Sequence, residues 1–270
     1  MPVLPARKRR AAMHKVDRVF GEKFLTAIDD FYRYGVHLLF NEWWEQAPQD
    51  AIDKYVAAIV DHPEQGPLAA AGWMAPDFSL AMVADCAPGT LGAAWHEHMM
   101  VNGLAEKLAA GYAGLIADFE ASGKLNRLPP VLKYKVLRGY QTHDLHHVLT
   151  GYTTQPLNEL ALQAFGLAQS DYPYAAMTLS VIMGHATLVD PWLIQPAMDA
   201  ITDGWALGRR ARSIQFVDFE NQIHRPLADI RAEYGLTRDA PFVPLMPRVS
   251  ELVAGELEVQ ERMRAAASAA

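Results

Sequence analysis

Only one of the 270 residues is cysteine, Cys86, so neither a disulfide framework nor a cysteine-built zinc finger is available to this chain. One thiol also fits a reducing compartment. Charge is scarce: 20% of residues are charged against a hydrophobic share of 51%. The balance is acidic, with a formal net charge of −7 and a pI of about 5.8. No nucleic-acid partner is expected of such a chain, because phosphate recognition needs a basic surface. Disorder over the whole length is excluded, since so apolar a sequence can bury a core. A long hydrophobic run is missing too. The most apolar stretch, Tyr174 to Val189, carries Thr178, Ser180, His185 and Thr187 and is closed by Asp190-Pro191. A membrane-spanning helix needs roughly 20 apolar residues. The opening MPVLPARKRRAAMHK has no apolar h-region of a secretory signal. Its basic knot, Arg7 to Arg10, reads as a solvated end or as a patch for an anionic membrane surface. There is no glycine-rich phosphate loop, no Ser-His-Asp pattern and no internal repeat.

What the chain does have is helical periodicity, with no convincing alternating strand. Phe24, Ile28, Phe31, Tyr32, Val36 and Leu39 recur at helical spacing and predict one helix over 22–46. A second is expected over 50–60. Residues 62–91 are rich in proline and glycine and read as loop with short helical pieces. Further helices are expected over 91–101, closed by Asn102-Gly103, and over 104–123. Pro130 opens the next, which ends at Gly151, and Pro156 opens one that ends near Gly166. Residues 174–189, 191–212 and 216–234 follow, the last kinked at Pro226. The expected architecture is all-α, a single-domain bundle of about eight to ten helices. It divides into a basic extension (1–20), the helical domain (21–247) and an alanine-rich tail (248–270).

The chemistry concentrates in residues 140–165. His143 and His147 are i,i+4 neighbours on one helix, and Asp144 stands three before His147, so all three share one face. Gly151 ends that helix and Pro156 starts the next, with Glu159 in its first turn. If the two helices fold back on each other, His143, Asp144, His147 and Glu159 converge on one point. Two imidazoles and two carboxylates suit a divalent cation, with Zn²⁺, Fe²⁺, Mn²⁺ and Co²⁺ all compatible. His146 points about 100° from His147 and stays outside the set. The cluster resembles the HExxH of zinc proteases only superficially, because Asp144 is a methylene too short to reach a bound water. An HD-type phosphohydrolase would need a further upstream histidine and a downstream aspartate, for which His96 or His98 and Asp190 or Asp203 are candidates.

The run His143-Asp144-x-x-His147, eleven residues, then Glu159 resembles the signature of the Coq-four family of ubiquinone (coenzyme Q) biosynthesis proteins. Leu149, Gly151, Ala161 and Phe165 fall where that family places Leu, Gly, a small residue and Phe. Pro88-Gly89-Thr90-Leu91-Gly92 and Asn102-Gly103-Leu104 resemble its "GTLG…NGL" segment. Trp205, Gly208-Arg209, Glu220 and Arg231-x-Glu233-x-Gly235-Leu236 resemble its C-terminal pattern. Asn158 stands where the family has glycine, and His146 where it has a bulky apolar residue.

The resemblance implies an all-helical protein, peripheral to the inner membrane of a bacterium on its cytoplasmic side. Its implied metal ligands are His143, Asp144, His147 and Glu159. The implied activity is removal of the C1 carboxyl of a polyprenylated 4-hydroxybenzoate-derived ring, with hydroxylation at that carbon. The partners implied are a polyprenyl quinone precursor or other isoprenoid lipid, other ubiquinone-biosynthesis proteins, the membrane surface and a second copy of the chain as a homodimer. A non-catalytic lipid-binding scaffold is the alternative, and the phosphohydrolase is third. Arg209 and Arg210 are candidates for steering an anionic group, and His96 and His98 for lining the site.

Overall fold

The computed structural model describes residues 17–31, 36, 39–40, 42–43, 47–63, 65–73, 79–104, 121, 128–170, 172–244, 254 and 258. Among them are ten α-helices and two 3-10 turns, with no strand beyond an isolated bridge between Thr90 and Pro226. The helices are α1 (Arg18–Asp29), α2 (Gln49–Val60), α3 (Gly66–Ala70), α4 (Leu80–Val83) and α5 (Leu91–Val101). After them come α6 (Pro130–Thr150), α7 (Pro156–Ser170), α8 (Pro173–Leu188), α9 (Ile194–Arg210) and α10 (Leu227–Tyr234). The all-α reading of the sequence is borne out.

Local chemistry explains most boundaries. Asp17 caps α1 by accepting from the amides of Val19 and Phe20. Thr90 caps α5, and prolines open α6, α7 and α8. Gly151 and Gly235 end α6 and α10 in the left-handed conformation, at φ 76° and 69°. Three boundaries differ from the sequence reading. The helix expected over 22–46 stops at Asp29, and Asp30 leaves helical geometry at φ −133°, ψ 82°. Two adjacent acids at a helix C-terminus oppose its dipole, which the apolar spacing alone does not register. Helix α7 runs past Gly166 to Ser170. The helix expected over 216–234 is only α10, because Pro226 stands before its first residue as the N-cap and does not kink its interior. Leu104 and Ala121 aside, the helix expected over 104–123 lies outside the described residues, as do 1–16 and, except for Ala254 and Glu258, the tail from 248.

Two hydrophobic clusters share α6. Its first half packs Leu132 and Tyr134 with Phe20, Ile28, Phe40 and Ile59, and its second half packs Leu145 and Leu149 with Trp95, Phe165 and Leu207. Helices α7 and α9 press together through small residues. A Cβ on Gly204 would lie 2.0 Å from the Ala161 carbonyl oxygen, and one on Gly208 would lie 2.6 Å from that of Phe165. The two contacts advance together, so α7 and α9 run parallel, with α8 as the return. Segment 223–227 clasps the start of α5: Leu91 donates to the Arg225 carbonyl at 3.0 Å and Gly92 to that of Ile223 at 2.8 Å. These bonds satisfy amides that a helix start leaves free.

Candidate metal centre

Helices α6, α7 and α5 each bring a side chain to one place. On α6, ligand atoms of His143, Asp144 and His147 lie within 4.8 Å of one another, the one such group of histidine and acidic side chains among the described residues. The turn 151–155 carries α7 back so that Glu159 Oε1 sits 3.1 Å from His147 Nε2 and Oε2 sits 3.5 Å from His143 Nε2. The two imidazole Nε2 atoms are 3.1 Å apart. Glu159 thus faces both imidazoles, while the group whose ligand atoms all lie within 4.8 Å of one another is His143, Asp144 and His147.

The turn is braced. Gly151 donates to the His147 carbonyl at 2.9 Å. Asn158, at the position where the family has glycine, accepts from the Thr153 amide at 3.3 Å. Arg231 donates to the carbonyls of Val148 and Leu149, and Arg238 to that of Thr150, so arginines from outside the helix close the end of α6. Asn102 accepts from the Thr154 hydroxyl at 2.8 Å and donates to the His98 carbonyl, tying the end of α5 to the same turn.

Histidine tautomers follow from the partners. His147 is fully enclosed, and its Nδ1 donates at 3.0 Å to the Tyr152 carbonyl, which turns Nε2 toward His143 and Glu159. Burial works to raise the Glu159 carboxyl, but His143 and His147 outweigh it and hold the group well below the usual range. At Asp144 burial likewise raises, and the imidazoles of His98, His143 and His147 outweigh it.

Of the two candidate histidines on α5, His98 joins the site and His96 does not. The His98 ring stacks on His147 with centroids 5.4 Å apart. Its Nε2 is buried without a hydrogen-bond partner and stands 3.6 Å from Asp144 Oδ1. Periodicity contains that distinction. Leu91, Trp95 and Met99 form the buried face of α5 and His98 lies on the same side, whereas His96 is about 200° away from His98. His146 is buried on another side of α6, with Nε2 3.2 Å from the Ile214 carbonyl, and burial lowers its pKa to about 3. Arg209 and Arg210 are exposed at the end of α9. Asp203 is held by Tyr152 and Arg238, and Asp190 accepts from the Trp192 amide, so neither completes a phosphohydrolase cluster.

The donor set fits a divalent cation. Four ligand atoms about 2.0–2.1 Å from a tetrahedral ion stand about 3.3 Å apart, close to the spacing among His143, His147 and Glu159. Two imidazole nitrogens at 3.1 Å, with one Nδ1 proton fixed elsewhere, are also better satisfied by a shared cation than by each other. A cavity of about 410 Å³ adjoins the cluster at His143 and Glu159. It is walled by Phe40, Leu162, Phe165, Tyr172 and Tyr174. Two interior helix glycines, Gly139 and Gly166, also line it, and a Cβ on either would meet nothing within 4 Å.

Together these features define a helical protein that presents a His-Asp-x-x-His face to a glutamate of the next helix, beside an aromatic cavity. Residues 129–240 match the family model described as "Coenzyme Q (ubiquinone) biosynthesis protein Coq4". The resemblance drawn from the sequence thus holds over a stretch containing all four signature residues. The chain is 32% identical over 108 residues to a Bos taurus protein, "Ubiquinone biosynthesis protein COQ4 homolog, mitochondrial". That match spans 39% of this chain and 39% of the bovine protein. A crystal structure of a Nostoc punctiforme protein assigned to ubiquinone biosynthesis shares the fold, with a TM-score of 0.61 at 22% identity over 81% of this chain and 99% of that one.

Proposed function

We propose that this chain acts in ubiquinone biosynthesis, as a metal-dependent enzyme that removes the C1 carboxyl of a polyprenylated 4-hydroxybenzoate-derived ring with hydroxylation at that carbon. One observation carries the reading: the His143, Asp144 and His147 cluster, with Glu159 facing both imidazoles, adjoins an aromatic cavity at His143 and Glu159 inside the stretch that matches the family. His143, Asp144, His147 and Glu159 would hold the cation. When bound, a divalent cation stabilises negative charge on a ring carboxylate as carbon dioxide leaves, and a redox-active one adds oxygen chemistry that Zn²⁺ lacks.

The chain's own residues set the rest. The Tyr152 carbonyl fixes the His147 tautomer. His98 faces Asp144 across 3.6 Å. Leu162, Phe165 and Tyr174 exclude water from the ring, and Gly139 and Gly166 leave room for it. Residues 21–247 are the functional unit in this reading.

Peripheral contact with the inner membrane is supported by the corner between α8 and α9. Leu188, Val189, Trp192, Ile194 and Met198 are exposed there within eleven residues that carry no lysine or arginine. No helix among the described residues is long and apolar enough to cross a membrane. The same corner and cavity favour the second reading, a scaffold that binds isoprenoid lipid and gathers other ubiquinone-biosynthesis proteins. Release of carbon dioxide from a ring-carboxyl-labelled prenylated substrate separates the two. Wild type is expected to release it and His147→Ala to lose both turnover and metal; a turnover-free wild type that retains lipid would establish the scaffold instead.

A further inference from the structure

One buried charge on α6 has no use in the site described above. Lys135 is 7% exposed and lines the cavity eight residues before His143 on α6. Its Nζ donates to Gln215 Oε1 at 3.3 Å and lies over the rings of Tyr172, 4.5 Å from the centroid, and Phe216, at 5.3 Å. Among the described residues no carboxylate reaches it. Arg138, one turn further along α6, is closed by Glu220, and Glu159 is engaged by His143 and His147. A buried ammonium with only an amide and two rings for company is destabilising unless an anion meets it. Burial accordingly lowers its pKa to about 8. A second polar group on the same wall is unsatisfied: the Tyr172 hydroxyl is buried and has no hydrogen-bond partner.

We infer that the Lys135 end of the cavity is a site for the phenolic oxygen of the substrate ring, with Lys135 as its cation and the Tyr172 hydroxyl as its neutral donor. The inference rests on the function proposed above. Three observations lead to it. One ammonium and one hydroxyl match an oxygen bearing a single charge, whereas a phosphate dianion calls for more donors. The wall around them is aromatic. And Lys135 lies eight residues, or about 12 Å of helix rise, from His143. A benzenoid ring with oxygen substituents at its two para ends, plus a polar contact at each, spans about that length. A carboxyl at the His143–Glu159 end therefore places the para oxygen at Lys135. Held there as phenolate, its proton released to water, that oxygen raises electron density at the para carbon, the one that bears the carboxyl. No bond to carbon changes in this binding step. Lys135 is thus a specificity residue for a 4-hydroxy ring.

The test uses the full chain with two probes, 3-geranyl-4-hydroxybenzoate and 3-geranylbenzoate, and reads affinity together with the phenolate absorbance of the first. Wild type should bind the hydroxylated probe about tenfold or more tightly than its deoxy analogue. A phenolate band should appear at a pH where the free probe is still a phenol. Lys135→Met should erase both the preference and the band, Lys135→Arg should keep them, and Tyr172→Phe, which retains the ring, should weaken both. A folded Lys135→Met that keeps preference and band overturns the assignment of Lys135 and leaves the proposed function standing. Equal binding of the two probes to wild type overturns it in the same way. Binding of neither probe to wild type overturns the proposed function together with the inference.

Discussion

Two clusters of polar side chains lie five residues apart on α6, and they differ in kind. At Arg138 the cluster is closed. The guanidinium is fully buried, pairs with Glu220 through both terminal nitrogens at 2.5 and 2.9 Å, and donates to Gln141 and the Val217 carbonyl. At His143 the cluster is open. His143, Asp144 and Glu159 are partly exposed, two imidazole nitrogens crowd each other at 3.1 Å, and a carboxylate faces both. The first has the paired donors and acceptors of a structural ion pair, with only Arg138 Nε left without a partner. The second has acceptor atoms converging on a shared point, an arrangement that a cation completes. A sequence pattern of charged and polar residues on one helix thus contains a strut and a site, and only the partners tell them apart.

Breaking the strut should have the largest effect on stability. Arg138→Met leaves Glu220 buried without a counter-charge and should reduce unfolding free energy by about 3–5 kcal/mol, read by denaturant titration. Lys135, a further charge on this helix, sharpens the contrast because no carboxylate among the described residues reaches it. Its folded pKa of about 8 lies below the unfolded value, so the unfolded chain binds more protons between about pH 8 and 10.4. Stability attributable to this residue should therefore be lowest below about pH 8 and should rise through that window by up to about 3 kcal/mol. Lys135→Met should flatten the rise, and subtracting the two pH profiles isolates it.

In the open cluster the expected losses are in metal affinity. His98→Ala removes the group facing Asp144 and should weaken metal binding by about 10–100-fold, measured by competition with a chelator, with little change in far-ultraviolet circular dichroism. The smallest effect is one of opposite signs. Gly139→Ala adds a methyl to the cavity wall where nothing stands within 4 Å. It should raise stability by about 0.5–1 kcal/mol through helix propensity and lower affinity for the ring. A substitution that stabilises the fold and weakens the ligand would mark Gly139 as retained for space.

The sequence made much of this legible, for identifiable reasons. The four signature residues sit on one helical hairpin, where 3.6-residue spacing, a left-handed glycine and a helix-opening proline determine geometry locally. Several flanking pattern residues prove to be scaffold. Thr90 caps α5, and Gly92 has a Cβ position only 2.5 Å from Cys86 Sγ. Gly208 passes close to α7, Glu220 closes Arg138, and Arg231 closes α6. Sequence spacing alone could not assign the roles of Gly208, Glu220 and Arg231, because their partners are distant along the chain; 82 residues separate Arg138 from Glu220. For the same reason Lys135 stayed invisible, since its significance lies in carboxylates that do not reach it. The choice of His98 over His96 was available from the apolar stripe of α5. The boundary at Asp30 depended on charge at a helix end, which apolar spacing ignores.

The central claim is that the cluster on α6 and α7 is a metal centre and not a second strut. Elemental analysis of anaerobically purified protein, wild type beside Glu159→Gln, tests it most directly. About one equivalent of a divalent transition metal per wild-type chain is expected, lost on dialysis from Glu159→Gln while the helical signal is unchanged. Metal-free wild type that resists loading, or a full equivalent that survives the substitution, would contradict it.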